Sequence, residues 1–266
     1  MLKTNVYWLL SLKRWYAVPA IGMVLTVVAV FSTRMISADI IHAPLNQWDV
    51  LLAIFDNKFE VGIVLPSMFC FFTVNLIRDR NHDFDDIVLL RCRSAGHWLM
   101  GKFVMIAMSA VIFSLTLFMT CFVLSFVASR RSMMWSQGDA KVHFLLPFGL
   151  APQDLHMAPA VACAMMVILI MIGLSVIGSV AATIAYIAPI SGLGIVVGIA
   201  VSVWSTAWPT AVRWLPTLQM ELNFHQRFSP QLQAGLPTLW WTGIYMGTLF
   251  LLTSGGAFAY AFKHDA

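Results

Sequence analysis

Apolar residues run through this chain in long blocks, and the polar residues are confined to the gaps between them. A helix that crosses a membrane needs about 20 mostly apolar residues. Residues 15–33 form the first such block. Residues 61–77 form the second, with Asn75 near its end, and 103–128 the third, 26 residues without a charge. From 155 to 212 there are 58 residues with no Asp, Glu, Lys or Arg. That is room for two spans, and the stretch YIAPISG at 186–192 supplies the break. Pro189 disfavours helix in the residue before it, and Gly192 permits a tight turn. The fourth and fifth spans are therefore expected at 158–186 and 190–209, and a sixth at 238–262. The pattern predicts an all-α integral membrane protein, one domain over residues 1–266, with six transmembrane helices and both termini on one side.

Two segments outside these blocks have their own pattern. Residues 1–14 set Tyr7, Trp8, Leu9, Leu10 and Leu12 beside Lys3, Lys13 and Arg14, which suits a helix lying in the membrane interface. Residues 213–237 are too polar to span, yet carry Trp214, Phe224 and Phe228 between prolines. They are expected either to dip partway into the outer leaflet as re-entrant helices or to form an external loop.

Composition strengthens the membrane reading. Hydrophobic residues make up 60% of the chain and charged residues 11%, against about 45–50% and 25% in soluble domains. The net charge of +4 comes from scattered basic residues rather than one clustered face, which excludes a nucleic-acid footprint. The first apolar block, 17 residues over 15–31, is longer than a signal-peptide core and lacks a small-x-small cleavage site, so it is expected to be retained. With the N-terminus inside, nine Lys and Arg fall on inner segments and seven on outer segments of nearly twice the length. The positive-inside rule then gives N-in and C-in. Trp240 and Trp241 would sit at the outer interface and Tyr260 near the inner one.

Candidate chemistry is sparse. Cys70, Cys92, Cys121 and Cys163 form no CxxC pair, and the seven histidines include no i, i+4 pair. No GxSxG elbow occurs. No span holds an Asp, Glu, Lys or Arg near its centre, where an ion-coupled carrier would keep its coupling groups. Carbonyl-built ion sites stay open. GIVVG at 194–198 and GIYMG at 243–247 are GxxxG patterns, suited to close helix packing within a subunit or between subunits.

The gap between spans two and three is the most informative. Residues 96–103, GHWLMGKF, come close to the phosphate-cradling GxxxxGK[ST] loop. However, Trp98, Leu99 and Met100 are bulky, Phe103 replaces the magnesium-binding hydroxyl, and the stretch runs straight into a span. The match is accidental. The pattern instead predicts an amphipathic cytoplasmic helix. Asp83, Asp85 and Asp86 form its acidic start, and Ile87, Leu90 and the stem of Arg91 share one face. Arg91 and Arg93 are available to an acidic partner surface or lipid headgroups. His97 precedes Trp98 and Leu99, which re-enter the interface; Gly101 eases a bend and Lys102 marks the boundary.

This layout resembles the permease subunit of ABC-2-type ATP-binding-cassette transporters. The resemblance rests on an interfacial N-terminal segment, six spans, and the loop elements Asp85-Asp86, Leu89-Leu90, Arg93-Ser94 and Trp98-Leu99-Met100-Gly101-Lys102. It implies a coupling helix over Asp83–Lys102, short re-entrant helices before span six and a second permease subunit. It also implies separate ATPase subunits that bind ATP and Mg, with no catalytic, cofactor or metal residue in this chain. The implied activity is export of an amphipathic or hydrophobic substrate across the cytoplasmic membrane. Two other readings remain. A membrane-embedded enzyme would draw on His143, Asp154 and His156, or on Asp83, Asp85, Asp86 and His97. The other is an ion-coupled carrier.

Overall fold

The computed structural model describes residues 13–36, 45–77, 95–136, 157–188, 192–207, 214–225 and 236–264. Its helices are α1 (Ala17–Ile36), α2 (Gln47–Phe55), α3 (Leu65–Ile77), α4 (Ala95–Ala128), α5 (Pro159–Ile187), α6 (Leu193–Ala207) and α7 (Leu239–His264). A 3-10 turn, Lys13–Tyr16, leads into α1, and a π-helical turn, Glu60–Val64, leads into α3. Two further 3-10 turns, Leu218–Met220 and Leu222–Phe224, precede α7. Among the described residues there is no strand, only a single bridge between Asn46 and Arg130.

Four helices are long and apolar enough to cross a membrane, namely Ala17–Met35, Gly96–Ala128, Pro159–Ile187 and Leu239–Lys263. They mark the chain as a membrane protein. The blocks expected at 61–77 and 190–209 form shorter apolar helices, α3 with 13 residues and α6 with 15. Within the helices, hydroxyls turn back on their own backbone, as Thr26 to Gly22 (2.7 Å) and Ser109 to Met105 (2.7 Å) do. This satisfies a polar atom where water is scarce.

Helix α5 is the axis of the bundle. It starts with Pro159, whose missing N–H costs nothing in a first turn. It packs against α2, α3, α4, α6 and α7. Between α5 and α6, Gly192 has φ 82°, the left-handed conformation that the YIAPISG break requires. The GIVVG motif faces inward: a Cβ on Gly194 would strike the Ala181 carbonyl of α5, and one on Gly198 would meet Cys70 of α3. This motif therefore serves contact within the chain. GIYMG differs, since nothing lies within 4 Å of a Cβ placed on Gly243 or Gly247.

The described structure departs from expectation in two places. Residues 34–60 read as an outer connection, but 47–55 form α2, with eight of its nine residues buried. Asn46 caps it, accepting from the Trp48 N–H at 2.9 Å, while Asp49 accepts from the Asn46 N–H at 2.5 Å. This is a reciprocal capping box. The Gln47 side chain and the Trp48 indole both donate to the Ser132 carbonyl, so α2 is tied to the chain just beyond α4. From there it descends into the bundle, with Trp48 against Phe122 and Phe55 against Phe118.

The second departure is α4. It begins at Ala95 and continues for 34 residues, about 51 Å at 1.5 Å per residue. Gly101 lies inside it and introduces no break in the helix. The coupling-helix residues Asp83, Asp85, Asp86, Ile87, Leu90, Arg91 and Arg93 lie outside the described residues, as does the interfacial segment 1–12.

Candidate functional site

The two ends of the bundle hold different chemistry. One end gathers the start of α4 and the ends of α5 and α7. Trp98 and Lys102, one turn apart on α4, are buried at 9% and 8% exposure. Both side chains turn into the bundle rather than outward. Lys102 Nζ sits 5.1 Å from the Trp98 ring centroid, within cation–π range. The Trp98 ring meets Tyr186 of α5 at 6.3 Å, and Tyr186 meets Tyr260 of α7 edge-on at 5.9 Å. Gly96 lies against Phe258 and Phe262 of α7. His97 stays exposed. Of the expected site residues, the structure thus brings Trp98 and Lys102 together with Tyr186 and with Tyr260, the residue expected near the inner interface.

Between α4, α5 and α7 runs an open groove of about 750 Å³. Met100, Phe103, Met108, Met171, Phe250 and Phe258 give it an apolar wall. Its two hydroxyls are engaged by their own helices, Ser175 with Met171 (2.7 Å) and Ser254 with Phe250 (2.8 Å). The surface offered to an occupant is therefore hydrocarbon and sulfur, which suits an apolar group.

The other end is polar inside. The segment before α7 is buried rather than draped outside: Leu218, Gln219, Met220, Glu221, Leu222 and His225 are each fully or almost fully shielded. Met220 fills the place of a side chain at Gly173, the middle residue of α5. The chain therefore enters the bundle to half the depth of α5 and returns. Around this re-entrant segment polar groups are enclosed. His225 Nδ1 donates to the Glu221 carbonyl at 3.0 Å and Nε2 accepts from the Thr242 hydroxyl of α7 at 2.9 Å. This is the neutral imidazole, and burial lowers the His225 pKa to about 4.

Glu221 has no comparable support. It is 0% exposed, and among the described residues neither carboxyl oxygen has a hydrogen-bond partner. Burial pushes its pKa well above the usual carboxylate range, the Asp56 charge raises it further, and Lys58 opposes both. Asp56, at the C-cap of α2, is itself 4% exposed. The two inward-dipping segments, α2 and 217–225, thus bring two carboxyl groups into one interior region.

Sequence reasoning looked for ionisable groups inside the spans and found none. The structure supplies them from the connections instead. The available signal was the string LQMELNFH at 218–225, in which Gln219, Glu221 and His225 alternate with Leu218, Met220, Leu222 and Phe224. An apolar set that regular is out of place in a solvated loop. Among the described residues, no group of three or more His, Cys, Asp and Glu could hold a metal ion. No family model, curated protein or solved structure matches the chain.

Proposed function

We propose that this chain is a membrane-spanning permease subunit of ABC-2 type. Six helices would cross the bilayer with both termini inside, α3 and α6 completing the four long ones. Its substrate is apolar or amphipathic, and a separate ATPase subunit binding ATP and Mg drives its export. The observation that carries this reading is the seating of α4. The proposed coupling segment leads directly into Ala95, and within one turn Trp98 is packed against Tyr186, which packs on Tyr260. A push on that segment would be delivered to α4, α5 and α7 together. Those three helices form the wall of the apolar groove, so movement at the clamp changes the groove's shape.

The test is co-purification with a separate ATPase subunit that carries a complete GxxxxGK[ST] loop. Replacing Ile87, Leu90, Arg91 and Arg93 by Ala is expected to abolish association and stimulated ATP hydrolysis. Unchanged association and unchanged stimulation would overturn the coupling role. The buried Glu221 favours a second reading, an ion-coupled carrier, because an intramembrane carboxyl is the usual seat of a coupling ion. Uptake that follows a proton gradient in ATP-free vesicles would support the carrier and sink the first reading.

A further inference from the structure

We propose that the shared end of α1 and α4 is a binding site for the headgroup of an anionic phospholipid, with Arg130 and Arg131 as its phosphate ligands. Helix α1 carries Arg34 in its last turn, and α4 closes at Ala128. The last carbonyls of a helix have no partner within it. Arg34 donates to one of them, that of Ala128, at 2.8 Å, and so joins the two helix ends. Just beyond, Arg130 and Arg131 are both exposed. The Arg131 guanidinium folds back over the Phe126 ring at 4.5 Å. Three cations therefore meet at one corner, and among the described residues no carboxylate pairs with any of them.

The backbone that carries the two arginines is set in place by α2. The Gln47 N–H donates to the Arg130 carbonyl at 3.2 Å, the Ser132 N–H to the Gln47 side chain at 3.0 Å, and the Asn46 side chain to the Met134 carbonyl at 2.8 Å. A ligand arriving here orders two side chains and not the segment that bears them, which lowers the cost of binding.

The surroundings choose the ligand. A soluble anion needs donors alone, but this corner also bares Met133 and Met134, 89% and 76% exposed. On the two helices, next to Arg34 and Ala128, Phe31, Met35 and Val127 face outward as well. Both helices are long and apolar enough to cross a membrane, so the corner lies where a span ends. At that level the thioethers and the phenyl ring lie among acyl carbons, while the guanidinium groups reach the headgroups. The planar guanidinium fork matches a phosphate with two N–H bonds. In the N-in orientation expected from the sequence this is the outer end, where the positive-inside rule gives no reason for clustered arginines. An anionic lipid gives one.

The test is lipid retention by the full-length chain, read by native mass spectrometry from detergent titrated with phosphatidylglycerol or phosphatidylcholine of identical acyl chains. Wild-type protein is expected to prefer the anionic lipid. Arg130→Gln together with Arg131→Gln should weaken phosphatidylglycerol binding about fivefold per arginine and leave phosphatidylcholine unchanged. Inorganic phosphate in millimolar excess should not displace the lipid. If the arginine variant fails to fold, Met133→Ser together with Met134→Ser decides, since it keeps both charges and should weaken phosphatidylglycerol retention by removing the apolar contact. Equal retention of the two lipids by wild type, an unchanged preference in the arginine variant, or unchanged retention in the methionine variant would overturn the proposal. Displacement by inorganic phosphate would make the corner a site for a free anion and overturn it equally.

Discussion

The two ends of this bundle solve the problem of polar groups in an apolar fold in opposite ways. At the Trp98 end aromatic rings enclose the polar groups: Lys102 lies over Trp98, Trp98 beside Tyr186 and Tyr186 beside Tyr260, while the Trp98 indole N–H is buried without a hydrogen bond among the described residues. At the Glu221 end the polar groups are more deeply buried and less well matched. His225 is satisfied, while Glu221 is enclosed without a hydrogen bond. A carboxyl buried without donors changes its charge state as conditions change. The first end is therefore held by ring packing, and the second carries a group whose charge depends on its surroundings.

The largest expected break in this comparison comes from pH. His225 is neutral in the fold with its pKa lowered to about 4 from 6.5. Between those values the unfolded chain binds a proton that the fold refuses, so stability falls as pH falls. The shift corresponds to about 3 kcal/mol when fully expressed. Glu221 works in the other direction. Its raised pKa means the fold keeps a proton that the unfolded chain releases, so stability falls as pH rises through that value. Unfolding midpoints in detergent, followed across pH, should show a maximum between two declining limbs. His225→Gln should flatten the acid limb and Glu221→Gln the alkaline one. A flat profile, or the loss of both limbs in one variant, would show that the two groups do not titrate as described.

A smaller effect separates covered glycine from uncovered. Gly173→Ala places a methyl group where Met220 now lies and should destabilise by about 1–3 kcal/mol, by displacing the re-entrant segment. Gly247→Ala meets nothing within 4 Å and should be neutral or stabilising by up to about 1 kcal/mol, the helix-propensity gain. Equal effects at the two sites, measured by melting in the same detergent, would contradict the depth assigned to the segment before α7.

How much of this was legible in the sequence follows from what each element depends on. Runs of apolar residues located α1, α4, α5 and α7 to within a few residues at most boundaries, because crossing a bilayer is a demand on composition alone. The start of α4 was the exception: the helix opens at Ala95, eight residues before the apolar run, where Trp98 packs on Tyr186 of α5 and Phe103 on Phe250 of α7. Helix α2 was missed for a related reason. Its capping box, Asn46 with Asp49, is written in the sequence, but a nine-residue helix is too short to span, and its burial depends on α4 and α5. The acid region was hidden more deeply. Asp56 and Glu221 are 165 positions apart, and it takes the folding-in of two connections to bury both.

The finest distinction concerns the Trp98 end itself. If Lys102 is held by the indole face, its contribution is a pairwise energy rather than the loss of a charge from solvent. Lys102→Met keeps the length and apolar stem of the side chain and removes only the ammonium. Trp98→Leu keeps an apolar group and removes the ring. Each variant alone also loses packing, so neither isolates the contact. The double-mutant cycle does, and it should return a coupling of about 0.5–2 kcal/mol for a cation over Trp in a partly desolvated site. The ring-held cation should also respond weakly to salt, because both partners are buried at 8–9% exposure. A coupling near zero, or one that vanishes in high salt, would mean that Lys102 reaches past the ring to solvent. The Trp98 end would then be held by its aromatic packing alone, and the contrast between the two ends would rest on Glu221.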